Sequence, residues 1–302
     1  MKITINDKQY PESLRKIKNP PKELYLKGNI ELLNSPSIAV IGSRKCTTYG
    51  ERMSRKFSRE LTEYGITITS GMALGIDSFA HISALEESGN TIAVLPSGFL
   101  NIYPKENIKL YQKILENNGL IITEYEEKVK ADTNKFLERN RIVSGLALGT
   151  LVIEGGKRSG TSVTAKLTLE QGKFVFCIPS SLENSKGITP NNLIKNGAIL
   201  VTNVSDIIEK YRYLNLKKIN KKLKDNIESE KIKDEYKEIY KLIPAETGIH
   251  INEIIKKSKM KTQDVSYKLM MLELEEKIEA LPGQNYRKRL WKWKNIIINL
   301  EY

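Results

Sequence analysis

SIAVIGSRKCTTYGERMSRKFSRELTEYGITITSG, residues 37–71, decides the fold. It opens on SIAVIG (37–42), a short run of small and branched apolar residues of the kind that forms a strand covered on both faces. An amphipathic stretch over 48–64 follows and stops at Gly65, the residue type that most easily takes the left-handed conformation ending a helix. A second apolar run, ITITSG (66–71), begins at once. Strand, helix and strand in so short a span make a parallel crossover unit.

Working outward, the alternation continues. Further runs are TIAVLPSG (91–98), LIITE (120–124), TLVIEGG (150–156), KFVFCIP (173–179) and AILVT (198–202). Helical patterns over 76–88, 105–118 and 161–171 run up to Gly89, Gly119 and Gly172. The spacing predicts an α/β fold over 37–212: an extended Rossmann-like, doubly wound parallel sheet with helices on both faces. Residues 1–36, with Pro11, Pro20 and Pro21, are expected as an irregular lead-in. Residues 213–233 are Lys-rich with little apolar periodicity and are expected as a solvated linker. Over 234–302 come helical patterns at 234–242, 251–257 and 262–276, then a turn at Pro282-Gly283-Gln284-Asn285 between two strand-like runs. This is the pattern of a small C-terminal winged-helix domain.

The totals narrow the function classes. The chain has 302 residues, 40% of them apolar, and a formal net charge of +13. The excess points to a polyanionic partner. It is shared between 1–212 (29 basic, 22 acidic) and 213–302 (20 basic, 14 acidic), so a basic patch has to be assembled by folding. Cys46 and Cys177 stand alone, without a CxxC, which argues against a disulfide framework or a zinc site. No signal-like core or membrane-length apolar run appears. The chain is expected to be cytoplasmic, with no membrane association, metal or cofactor.

In such sheets ligands bind in the loops after the strands. After the first run comes Gly42-Ser43-Arg44-Lys45, which lacks GxGxxG and favours a phosphate beside a helix start. Its bland reading is a βα turn with a surface Arg44. The second loop is Ser70-Gly71-Met72-Ala73-Leu74-Gly75-Ile76-Asp77, whose glycines allow close approach to a ligand or to a neighbouring loop. His81, just beyond, is expected to be a packing or hydrogen-bonding residue rather than a catalyst.

The third, Phe136-Leu137-Glu138-Arg139-Asn140-Arg141, is read as a loop leading into an apolar helix. Arg139 and Arg141 are suited to phosphates and Phe136 to stacking on a base. Equally, Phe136 could be core, with the arginines paired to Glu138 and Glu124. The fourth, Glu154-Gly155-Gly156-Lys157-Arg158-Ser159-Gly160-Thr161-Ser162, gathers amides, hydroxyls and cations at a helix start, an anion site. It misses a P-loop, since Thr161-Ser162 replace the Lys-Ser/Thr pair, and NTP hydrolysis is unsupported. With no HExxH, GxSxG, triad or paired carboxylates, the expectation is a binder and not an enzyme.

Together these motifs resemble the DNA-processing protein A (DprA/Smf) family. The residues carrying the resemblance are IGSRKCTTYG (41–50), SGMALGIDSFAH (70–81), TIAVLPSGFLNIYP (91–104), RNRIVSGL (139–146), SGTSVTA (159–165) and GITPNNLIKNGA (187–198), in order over roughly 8–212. MLELEEKIEALPGQNYRKR is similar to the winged helix of many members. The resemblance implies an extended Rossmann domain binding single-stranded DNA. It also implies RecA recombinase loading during natural transformation, and a homodimer. It assigns DNA binding to Arg44, Phe136, Arg139, Asn140, Arg141, Lys157, Ser159, Gly160 and Thr161. Leu137 stands where the family usually has proline, and Pro179-Ser180 where it has Pro-Gly. The rival readings are a Rossmann-type nucleotide sensor and a nucleotide-conjugate hydrolase. The hydrolase is disfavoured because GGKRSGTSVTA lacks the glutamate of the hydrolytic PGGxGTxxE loop.

Overall fold

The computed structural model describes residues 1–87, 89–157, 159–218, 234–244, 248–275 and 277–288. Two compact units divide the chain, Met1–Ile219 and Asn220–Tyr302.

In the first unit, the strands after the lead-in are β3 (Ser37–Ile41), β4 (Thr67–Ser70), β5 (Thr91–Val94), β6 (Leu120–Thr123), β7 (Gly149–Val152), β8 (Phe174–Cys177) and β9 (Ile199–Leu200). They are parallel neighbours, with Ile38 beside both Ile68 and Gly149. The helices are α2 (Thr48–Glu63), α3 (Ile76–Glu86), α4 (Ile108–Glu116), α5 (Thr133–Leu146), α6 (Gly160–Glu170) and α7 (Ile188–Lys195). Alternate residues of β3 serve opposite cores. Ile38 and Val40 pack with Phe57, Leu61, Ile76 and Ala80, and Ala39 and Ile41 with Ile142, Val143 and Ala165. The period-2 pleat thus places α2 and α3 on one face and α5 and α6 on the other. α2 starts where the Thr47 hydroxyl accepts from the Gly50 amide. It stops before Gly65, whose φ of +74° is open to glycine without strain.

The lead-in differs from its reading. Residues 1–36 contain β1 (Lys2–Thr4), a turn of helix α1 (Glu12–Arg15) and β2 (Glu23–Gly28). β2 runs antiparallel to β6, with Leu26 opposite Ile122. Among the described residues the sheet therefore has nine strands, in the order β1-β2-β6-β5-β4-β3-β7-β8-β9. Leu24 and Leu26 are buried against it, and Pro21 ends the preceding loop by accepting from Tyr10 Oη at 2.7 Å. The period-2 alternation in ELYLKG carried this strand, and the neighbouring prolines masked it.

The second unit carries α9 (Asp234–Leu242), β10 (Ile249–His250), α10 (Ile251–Ser258), α11 (Thr262–Leu274), β11 (Ile278–Leu281) and β12 (Asn285–Lys288), after the short α8 (Ser205–Ile208) of the first. The strand order β10-β12-β11 and a core of Ile239, Ile254, Val265, Leu269, Leu272 and Ile278 make it a winged helix. From residue 219 the expected linker, and from 289 the end of the winged-helix stretch, lie outside the described residues.

His81 on α3 is a packing residue. The Thr91 hydroxyl donates to the Ile68 carbonyl at 2.7 Å, so His81 Nδ1, 2.7 Å from that hydroxyl, is the N–H donor. Nε2 is buried without a partner among the described residues. Burial, and then the nearby Arg139 charge, push the imidazole from 6.5 down to about 3. The folded chain holds His81 neutral while the unfolded chain takes up a proton below its ordinary value. Stability is therefore unaffected above that value and falls as the pH drops towards the folded one. Going from pH 7 to pH 5 is expected to remove about 2 kcal/mol through this group, and His81→Asn should flatten that part of a urea-melt series against pH.

Candidate nucleic-acid interface

The strands to one side of β3 run β4, β5, β6, and those to the other run β7, β8, β9. The order reverses between β3 and β7, and a crevice opens at such a switch point beyond the carboxyl ends of the strands. The loop carrying Arg44 follows β3, and the loop carrying Lys157 follows β7. Buried Glu154 ties the two loops together. It accepts from the Thr47 amide (2.9 Å), the Thr47 hydroxyl (2.6 Å) and Asn184 Nδ2 (3.2 Å).

Arg44 and Lys45 are exposed. The Arg44 guanidinium lies 4.8 Å from the centre of the Phe136 ring. Tyr103 meets the same ring edge-on at 5.4 Å and 76°. Phe136 is half-buried and belongs to none of the apolar clusters, so its packing is with Arg44 and Tyr103 rather than in the core. Tyr103 was not among the sequence candidates. Its one signal was the Tyr-Pro closing TIAVLPSGFLNIYP.

The loop expected at 136–141 is instead the interior of α5. The helix starts earlier because the Asp132 side chain caps it, accepting from the Lys135 amide at 3.0 Å. At about 100° per residue, Phe136, Arg139 and Asn140 share a face and Arg141 turns away from it. Arg141 pairs with Glu124, as one of the sequence readings allowed, and the pair lines a shallow cleft of about 450 Å³ with Pro20, Pro21, Lys22 and Glu23. The site candidates are thus split, with Arg141 removed to the β2–β6 side.

Arg139 is buried, at 4% exposure. Its Nη1 donates to the Val94 carbonyl at 3.0 Å, at the end of β5. Buried Asp77 is its counter-charge and accepts from the Gly71 amide at 3.1 Å. Burial draws the guanidinium down to about 10 against the pull of Asp77, and pushes the Asp77 carboxyl up. The loop from Gly71 to Gly75 then packs against the Arg44 loop. The Ile76 amide donates to the Ser43 carbonyl at 3.2 Å, and a Cβ on Gly75 would lie 2.4 Å from that same oxygen. Arg139 is a pillar beneath the loop that presents Arg44.

At the fourth loop, Lys157 and Gly160 are exposed and Thr161 is buried. Ser159 occupies the N-cap of α6, yet its hydroxyl makes no cap bond and is buried without a partner among the described residues. The Ser162 amide donates to the Ser159 carbonyl at 3.1 Å, while the Gly160 and Thr161 amides at the start of the helix lack intrahelical acceptors, so with Lys157 they make a corner of the kind that suits an anion. Arg158 lies outside the described residues.

In the winged helix the described cations of the wing, Arg287 and Lys288, are engaged. Arg287 pairs with Glu279, and Lys288 sits 4.7 Å from the centre of the Tyr240 ring. Among the described residues no helix is long and apolar enough to cross a membrane.

Comparison with known proteins gives two family matches. The "DNA recombination-mediator protein A" family covers residues 1–212, and the "DprA winged helix domain" covers 229–284. Protein Smf of Escherichia coli is 41% identical over 211 residues, 70% of this chain and 56% of that protein's length. The chain thus spans little more than half of that relative. The X-ray structure of DNA processing protein A from Streptococcus pneumoniae superposes with a TM-score of 0.67 at 38% identity, covering 69% of this chain and 73% of that one. DNA processing protein A from Helicobacter pylori, described for its single-stranded DNA binding mode, gives 0.63 at 33% identity, covering 70% and 96%.

Proposed function

The chain belongs to the DNA recombination-mediator protein A (DprA/Smf) family, and on that premise we propose that it binds single-stranded DNA along the crevice between the β3 and β7 loops. The observation that carries the reading is the exposed Arg44 guanidinium over Phe136, backed by Tyr103 and tied through Glu154 to the anion corner at Lys157. An arginine and aromatic rings grip backbone and stack on any base without reading sequence. In this reading the contacts are Arg44, Phe136, Tyr103, Asn140, Lys157 and the Ser159–Gly160 amide corner, and Arg139 supports them from below. The role is that of a recombination mediator and not of an enzyme. A cytoplasmic homodimer would hold single strands and pass them to RecA recombinase, and the winged helix would serve protein contacts. The engaged wing cations and the exposed Glu273 at the end of α11 support that last part.

Oligonucleotides of increasing length, titrated beside free nucleotides at several salt concentrations, test this. Affinity is expected to rise with length and to fall with salt by a log–log slope of about 0.7 per phosphate neutralised. Saturation by a mononucleotide would favour the nucleotide-sensor reading, and a flat salt response would remove the phosphate contacts.

A further inference from the structure

The outer face of α11 is apolar and uncovered among the described residues. Tyr267, Met270 and Leu274 are 53%, 52% and 69% exposed, while Val265, Leu269 and Leu272 fill the core on the opposite face. At about 100° per residue the three fall within roughly 60° of arc, a stripe along about 10 Å of helix. Contiguous exposed apolar surface of this kind marks a contact.

We propose that the occupant is the chain's own segment 289–302, RLWKWKNIIINLEY. Three observations point to it. The first is composition: tryptophan, isoleucine and leucine dominate the segment, which makes it a poor solvated tail and a good cover for an apolar stripe. The second is position: the segment begins after Lys288, whose register partner is Ile278, four residues beyond Leu274. It therefore starts at the Leu274 end of the stripe. At roughly 3.3 Å per extended residue it outreaches the whole of α11. The third is charge: Arg289, Lys292 and Lys294 open the segment, and Glu273 and Glu275 lie at the carboxyl end of α11, where the helix dipole also favours cations.

The chain carries its own probe, since its only two tryptophans, Trp291 and Trp293, both lie in this segment. Tryptophan emission of the full chain is expected to be blue-shifted from that of free tryptophan amide and shielded from iodide. Met270→Glu with Leu274→Glu should shift it to the red and restore quenching, with the far-ultraviolet circular dichroism unchanged. A chain ending at Lys288 gives the reciprocal readout: it should bind a hydrophobic dye, and Leu274→Glu in it should abolish that binding. The proposal is overturned by wild-type tryptophans as red and quenchable as the free amide, or by emission indifferent to the double substitution. It is equally overturned by emission that reddens on dilution, which would assign the stripe to a second copy.

Discussion

Replacing Arg139 by methionine is expected to lower the free energy of unfolding by about 3–5 kcal/mol, the usual cost of leaving one of two interacting buried charges uncompensated. Methionine fills much of the volume, so the loss is electrostatic rather than a cavity. Asp77 keeps its amide donors but loses its counter-charge, and the Val94 carbonyl loses its donor. Urea melts of the wild type, Arg139→Met and the double variant Arg139→Met/Asp77→Asn measure this. The double variant should recover part of the loss, because the stranded charge is gone. DNA affinity is expected to fall too, through the loosened Arg44 loop. If Arg139→Met kept wild-type stability and instead cut the salt slope of DNA binding by a phosphate's worth, Arg139 would be a ligand and not a pillar.

Phe136→Ala is expected to weaken single-strand binding by about 1–3 kcal/mol while leaving the salt slope nearly unchanged, because stacking releases no counterions. The half-buried ring packs against Arg44 and Tyr103 rather than in the core, so the melting temperature should move little. Arg44 also loses its aromatic seat, worth about 0.5–1 kcal/mol at an exposed site. Fluorescence anisotropy at several salts, with a thermal melt on the same preparation, separates the two effects. A strongly destabilised protein that binds normally once folded would make Phe136 a structural residue.

The sheet was legible because each central strand is a short apolar run closed by Gly or a polar residue, a signal that survives without any partner. β2 was not, since Leu24 and Leu26 alternate beside prolines and charged residues. The interior of α5 was misread for a related reason: Thr133, Asn134 and Lys135 look like a loop unless Asp132 is recognised as the cap. The site motifs were found, but their roles depended on contacts distant in sequence. Nothing near Arg139 announces Asp77, 62 positions earlier, as its partner. Glu124 could be named as a partner of Arg141 because it ends the neighbouring run. Tyr103 is separated from Phe136 by a whole strand and helix, and only folding brings the rings together.

The packing of Arg139 has a consequence for how such a chain is able to change over generations. A Cβ on Gly71 would stand 1.6 Å from Arg139 Nη1. That guanidinium has no room to swing aside, being enclosed and tied to Val94. Positions 71 and 139 are thus one unit of inheritance. A side chain gained at 71 requires a shorter one at 139, and a shorter one at 139 strands Asp77. Each single step passes through a weakened protein, so the three residues are expected to persist together or to be replaced together.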